Sequence, residues 1–238
     1  MILLFYVPAM DNVKELWGDL FAMDTSLAHC CSRDLQMTAG IADDFRRRFG
    51  GQEELRQQNK AIGDVAYIPS PTSGFLFYLI TKDKYYYKSI DINNVRLSLL
   101  ALKKLCLSLG VGEVSMPRIS CGLDGLSWED VLPMIRDVFR DCSVRVNILT
   151  PPPTYHGMAI LGDSQALRFV RQHGCNFPKR CGWQSREMGL AKSGRRLVGL
   201  IDLLEEVPDN GLSHALVFIG SNDLLDLCRA ERPRVSLQ

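Results

Sequence analysis

The chain has 238 residues, 46% hydrophobic and 23% charged, with a net charge of +1. This is an ordinary globular composition, long enough for one large or two small domains, and it offers no bulk attraction to nucleic acid or to a membrane surface. Apolar runs such as Gly74 to Ile80 are too short to span a bilayer. Met1 to Val7 is apolar but lacks a positive n-region and a small-residue cleavage site, so it reads as a strand or an irregular N-terminus. Eight cysteines form no CxxC pair, and the four histidines do not cluster with them. Reduced thiols in a cytoplasmic or nuclear protein are therefore expected, with no metal site.

In chain order, Val13 to Phe21 contains a strand ending in Gly18-Asp-Leu-Phe21, and Ser26 to Cys31 is a second apolar segment. Met37 to Phe49 follows as a small-residue loop, Thr38-Ala-Gly40, leading into a helix on which Ile41, Phe45 and Phe49 share one face; Gly50-Gly51 stops it. Arg46-Arg-Arg48 reads either as a basic patch or as solvated charges near a helix C-terminus. Glu53 to Lys60 is a short polar helix. Val65 to Pro69 and Phe75 to Ile80 are strands rich in β-branched and aromatic residues, split by the turn Pro71 to Gly74. Thr81 to Lys84 lies just past the second of them. Asn93 to Leu109 has a long helical pattern, Val111 to Ser115 is a short strand, Trp128 to Phe139 an amphipathic helix and Val144 to Leu149 a last strand. Ser127 can cap the helix at Trp128, with Asp130 at capping-box spacing. Alternating strands and helices predict an α/β layered sheet over residues 1–150.

Pro151-Pro-Pro153 then reads as part of a linker, 151–156. Beyond it, over 157–238, the pattern restarts: a strand at Met158 to Leu161, helices at Gln165 to His173 and Leu197 to Glu206, and a strand at Ala215 to Ile219. This second region is small for an independent core.

Two loops have the character of phosphate cradles: Thr38 to Ile41, and Ser120 to Leu126 with its two glycines. Each feeds a helix N-terminus, where free backbone N–H groups and partial positive charge favour an anion. A plain strand-to-helix turn explains either loop equally well. Asp19, near the end of an early strand, either accepts a hydrogen bond from an exocyclic amine or makes a local Asx turn. On residue type alone, Lys82 is a strand-end lysine and Asp124 a turn carboxylate.

Gly18-Asp-Leu-Phe21, Ser26-Leu-Ala-His-Cys30, Met37-Thr-Ala-Gly-Ile-Ala42, Tyr78-Leu-Ile-Thr-Lys82 and Ser115-Met-Pro-Arg-Ile-Ser-Cys-Gly-Leu-Asp124 occur in that order. Together, over residues 12 to 150, they resemble the macrodomain family, and within it the terminal ADP-ribose protein glycohydrolase, or O-acetyl-ADP-ribose deacetylase, branch. The resemblance implies a three-layer α/β/α fold around a mixed sheet. It implies binding of ADP-ribose, removal of ADP-ribose from acidic side chains of proteins, and deacetylation of O-acetyl-ADP-ribose, without metal or other cofactor. The implied partners are ADP-ribose, O-acetyl-ADP-ribose and ADP-ribosylated proteins, with no membrane and no specific nucleic acid. Lys82 matches the catalytic lysine and Asp124 the catalytic aspartate. Leu20, the loop residues Ala39, Gly40 and Ile41, and Arg118, Ile119, Ser120, Cys121, Gly122 and Leu123 match ligand-binding positions. Asp19 resembles the adenine-side acid and Ser32 a distal-ribose contact.

A neutral lysine can attack the masked aldehyde carbon C1″ of the distal ribose, and a nearby carboxylate can shuttle the proton. A module that binds ADP-ribose without turnover is the alternative function. Three departures from the family pattern stand out. Thr38 replaces a usual glycine, Leu149 replaces an aromatic residue, and Met1 to Asn12 match nothing in the pattern.

The second region bears a weaker resemblance to the SGNH (GDSL) hydrolases, a partial flavodoxin-like α/β region. Ile160-Leu-Gly-Asp-Ser164 is similar to that family's first block, Ser193-Gly194 to its second and Ile219-Gly-Ser-Asn-Asp223 to its third. Ser164, Gly194 and Asn222 would form a vestigial esterase site, because no histidine follows His214 to act as base.

Overall fold

The computed structural model describes residues 12–87, 90–151, 154–156, 158–173, 187–188, 191–206, 214–220 and 223. They fall into two compact units. The described residues up to Leu16 join Met23–Leu149 in the first, and Trp17–Ala22 join those from Thr150 onward in the second.

The first unit is built on six strands: β1 (Val13–Trp17), β2 (Ser26–Ser32), β3 (Val65–Pro69), β4 (Phe75–Lys82), β5 (Glu113–Pro117) and β6 (Arg145–Thr150). Their order is β1-β6-β5-β2-β4-β3. Strands β6, β5, β2 and β4 run parallel, and β3 pairs antiparallel with β4, so the sheet is mixed. Strand β4 reads as an unbroken apolar run because both its faces are covered. Phe77 and Leu79 point into a core shared with α3 (Ile92–Ser108) and α4 (Trp128–Phe139). Tyr78, on the opposite face, meets Phe45 of α1 (Gly40–Phe49). Helices on both faces make the three-layer α/β/α sandwich.

Helix α3 buries Val95, Leu99, Leu102 and Cys106, a stripe at helical spacing. The Asp91 side chain caps its start by accepting from the Asn93 N–H. Helix α4 runs over the predicted span, and Ser127 caps it by accepting from the Glu129 N–H at 3.2 Å. Strand β5 begins two residues later than predicted. The Val111 N–H is already used on the Cys106 carbonyl at the end of α3 (2.8 Å), with Gly110 in the left-handed region. Helix α1 starts at Gly40, the last residue of the expected small-residue loop, with Met37 before it at φ +46°; the short polar helix expected at Glu53 to Lys60 is α2 (Gln52–Gln57).

In the second unit, β8 (Met158–Gly162) lies between β11 (Ala215–Phe218) and β10 (Ala191–Lys192), parallel to both. Strand β9 (Glu187–Met188) extends the sheet beyond β10. Helix α5 (Ser164–His173) buries Ala166, Leu167 and Val170 in a small core with Ile160 and Ala191. Helix α6 (Leu197–Glu206) adds Leu200, packed with Leu161. Thr154 and Tyr155, within the expected linker, form a strand, β7, paired with Ala159 and Met158.

Candidate functional site

Strands β2, β4 and β5 are parallel, so their carboxyl ends lie along one edge of the sheet, where ligands of open α/β folds bind. A cleft of about 300 Å³ opens there. Cys30, Cys31 and Ser32 of β2 form its floor, and residues 37–42 line one wall. Pro117 to Ser120 and Gly122 to Asp124 line the other, with Lys82 and Tyr85 completing it. The volume lies at the small end of the range for small-molecule sites.

The first wall is the approach to α1. Ala39 is extended and makes no side-chain cap, so the first N–H groups of the helix are not engaged by it. Gly40 follows at φ +60°, a backbone region where glycine is at home. The loop is held from beneath. Arg46 Nε donates to the Met37 carbonyl at 3.1 Å, while Arg46 Nη2 pairs with Asp43 at 2.5 Å. These contacts fix Met37, a non-glycine residue held in the left-handed region and buried. Thr38 is exposed and lies outside the left-handed region, so the backbone does not demand glycine there. Arg46 thus serves the loop, and Arg47 pairs with Asp43 and Asp44.

The second wall is the β5–α4 loop. Ile119 is buried in the main core and anchors it. Ser120 takes φ +58°, and its carbonyl accepts from the Leu126 N–H at 3.0 Å. Ser120 Oγ contacts Cys30 Sγ at 3.4 Å, tying loop to floor. Burial pushes the Cys30 thiol up to about 12, so it stays protonated and is a poor nucleophile. Burial likewise raises Cys31.

The charged centre of the cleft is a contact between strand β4 and this loop. Lys82 Nζ lies 2.6 Å from Asp124 Oδ1, with both side chains only 14% and 13% exposed. The same nitrogen donates to the Tyr87 carbonyl at 3.1 Å. Ser32 Oγ donates to Asp34 Oδ1 at 2.6 Å beside it. Arg118 lines the cleft, while its guanidinium pairs with Glu15 at 3.3 Å and lies 5.3 Å from the centre of the Trp128 ring. Trp128 Nε1 donates to the same Glu15 carboxylate at 2.9 Å. Glu15 and Trp128 were not anticipated from sequence.

Of the expected ligand positions, Ser32, Ala39, Gly40, Ile41, Arg118, Ile119, Ser120, Gly122 and Leu123 line the cleft with Lys82 and Asp124. Cys121 does not; it packs against the α3–α4 core under the loop. Asp19 and Leu20 belong to the segment grouped with the second unit, and Asp19 Oδ1 accepts from the Phe21 N–H at 3.0 Å, the local turn. Leu149 is buried in β6. Cys30, Met37, Ala42 and Tyr85 are lining residues that sequence reasoning missed; their nearness to the ends of β2 and β4 was the available signal.

In the second unit, Ser164 opens α5 next to buried Asp163, whose Oδ1 accepts from the Gln165 N–H at 2.8 Å. Gly162 has no room for a side chain, since a Cβ would fall 1.8 Å from the Phe218 carbonyl oxygen. Gly194 is a turn glycine at φ +81°. Asn222 lies outside the described residues. Among the described residues, no helix is long and apolar enough to cross a membrane, and no three His, Cys, Asp or Glu side chains converge as a metal site.

No family model matches the chain. Over 145 residues it is 43% identical to human ADP-ribose glycohydrolase OARD1, covering 60% of this chain and 94% of the human protein. Over 141 residues it is 45% identical to the bovine protein of the same name, covering 58% and 91%. Among solved structures, the macrodomain of Mycobacterium tuberculosis DarG superposes with a TM-score of 0.53 at 22% identity, over 60% of this chain and 98% of that one. Thermosipho africanus DarTG, solved with ADP-ribose, gives 0.51 at 18%, over 58% and 42%. These last two likenesses show the fold; the mammalian relatives show the branch. The chain belongs to the macrodomain family, in its terminal ADP-ribose glycohydrolase branch.

Proposed function

We propose that the protein binds ADP-ribose in this cleft and hydrolyses its esters, releasing ADP-ribose from glutamate and aspartate side chains of modified proteins and deacetylating O-acetyl-ADP-ribose. The observation that carries the proposal is the 2.6 Å contact between Lys82 Nζ and Asp124 Oδ1 in a partly enclosed cleft. The relatives' name gives the reaction class. The uncapped start of α1 and the backbone of the β5–α4 loop are suited to grip a diphosphate from two sides. That grip sets the distal ribose beside the two charged groups.

In this arrangement the Lys82–Asp124 pair is a proton reservoir. Transfer of a proton from the ammonium to the carboxylate leaves a neutral amine. The amine attacks C1″, forming a C–N bond as the bond from C1″ to the acyl oxygen breaks and the carboxylate leaves. Opening of the ribose ring, with one N–H proton passing to the ring oxygen, gives the protonated imine. Water adds to the imine carbon, the C–N bond breaks and the lysine leaves as the ammonium carrying both water protons, while Asp124 gives up its proton to solvent. The net reaction consumes one water, and the lysine is regenerated.

The test is release of labelled ADP-ribose from a glutamate-ADP-ribosylated protein, run beside calorimetry with free ADP-ribose. Binding together with release is expected. Binding without release by the wild type would leave a binding module; no binding at all would refute both.

A further inference from the structure

Beyond Lys82 the chain carries three consecutive tyrosines, and their position next to the cleft is not used by the chemistry above. Tyr85, Tyr86 and Tyr87 are exposed by 51%, 59% and 47%. The rings of Tyr85 and Tyr86 meet edge to face at 5.3 Å, and those of Tyr86 and Tyr87 at 5.2 Å. The backbone beneath them is fastened at both ends. The Tyr85 N–H donates to Asp34 Oδ2 at 3.4 Å, and the Tyr87 carbonyl accepts from Lys82 Nζ at 3.1 Å. Tyr85 itself lines the cleft. The row of rings therefore stands beside the proposed nucleophile, with Tyr85 in the cleft lining and the Tyr87 backbone on Lys82.

Its place beside Lys82 identifies what it would meet. With Lys82 at C1″ and the diphosphate held by the two loops, the adenosine lies on the far side of the diphosphate. Whatever is esterified to the distal ribose leaves the cleft on the Lys82 side. Exposed tyrosines held in place give large contact area at low entropic cost, which is why such rings anchor protein recognition. A surface built for nucleic acid adds unpaired cations to its stacking rings. Here, among the described residues, three cations beside the rings (Arg33, Lys82 and Lys84) stand with three carboxylates (Asp34, Asp83 and Asp124); Arg33 pairs with Asp83 at 2.6 Å and Lys82 with Asp124, so the patch carries no net positive charge.

We propose that Tyr85 and Tyr86 form a platform for the polypeptide flanking the modified acidic side chain, so that the protein favours ADP-ribosylated proteins over small acyl esters of ADP-ribose. This rests on the hydrolase assignment above. The test measures kcat/KM for wild type, Tyr86→Ala and Tyr86→Phe on three substrates: a glutamate-ADP-ribosylated protein, O-acetyl-ADP-ribose and an ADP-ribosylated oligonucleotide. Tyr86 lies outside the cleft lining, so turnover of O-acetyl-ADP-ribose should stay within about twofold of wild type in both variants. On the modified protein, Tyr86→Ala should lose about tenfold and Tyr86→Phe, which keeps the ring, should lose little. Equal losses on the protein and the acetyl ester, no loss on either, or a loss confined to the oligonucleotide would each overturn the platform while leaving the hydrolase assignment standing. A wild type inert on all three substrates would overturn the hydrolase assignment, and the platform with it.

Discussion

Gly40 and Leu123 meet across the mouth of the cleft: a Cβ on Gly40 would stand 3.4 Å from Leu123 Cδ1. The loop entering α1 and the loop leaving β5 thus approach each other at the limit of van der Waals contact. Both loops line the cleft. Gly40→Ala adds a methyl at φ +60°, costing about 1 kcal/mol of backbone strain, and places it against Leu123 on the cleft wall. The expected result is about tenfold weaker ADP-ribose binding with a modest fall in Tm, read by calorimetry and a thermal melt. Affinity equal to wild type would remove this loop from the binding site.

Thr38 presents the opposite case. Its backbone lies outside the left-handed region, so its only effect on a ligand is through its side chain. Removing that side chain opens the phosphate side of the wall. Thr38→Gly is expected to tighten ADP-ribose binding by a few-fold, since glycine's added freedom offsets part of the gain. An unchanged or weaker affinity refutes crowding by Thr38.

The buried His29 makes stability depend on pH. It is fully enclosed, with Phe45 at 4.0 Å and Tyr78 at 4.9 Å between ring centres, and Nδ1 lies 3.0 Å from the Cys30 carbonyl oxygen. Burial lowers it from 6.5 to about 3, so the folded protein keeps it neutral. The unfolded chain takes up the proton first. Its contribution to stability is therefore complete above about pH 6.5 and is lost progressively as the pH falls toward 3, with about 2 kcal/mol gone by pH 5. Denaturant titrations at pH 7 and pH 5 should show a loss smaller by about that amount in His29→Phe. Identical losses would contradict the assignment.

Asp124 is the proposed proton carrier. Asp124→Asn keeps the shape but cannot accept the proton from Lys82. Its kcat is expected to fall by about a hundredfold to a thousandfold, with ADP-ribose affinity within a few-fold of wild type. A kcat near wild type would assign the proton transfer to another group.

Much of the first unit was legible in the sequence. The stripe Val95, Leu99, Leu102 and Cys106 marked α3, and Ser127 marked the start of α4, because helical periodicity and capping are local. The two small-residue loops, Thr38 to Ile41 and Ser120 to Leu126, also marked the two walls of the cleft. What local pattern could not show was which distant residues meet. Lys82 and Asp124 are 42 positions apart, and Ser120 reaches Cys30 across 90. Without the family motifs each was an ordinary strand-end or turn residue. Glu15 and Trp128, which meet at Arg118, carried no motif, and Glu15 is brought there only by strand order. Nor could local pattern show that the Met37 backbone is held left-handed, with Arg46 further along the chain donating to its carbonyl.

The central claim is that Lys82 supplies the nucleophile. The measurement that tests it is release of labelled ADP-ribose from a glutamate-ADP-ribosylated protein by Lys82→Ala, with ADP-ribose affinity determined on the same preparation. The account predicts release reduced by about a thousandfold or more, with affinity within a few-fold of wild type. Release by Lys82→Ala at a rate near that of the wild type would contradict it.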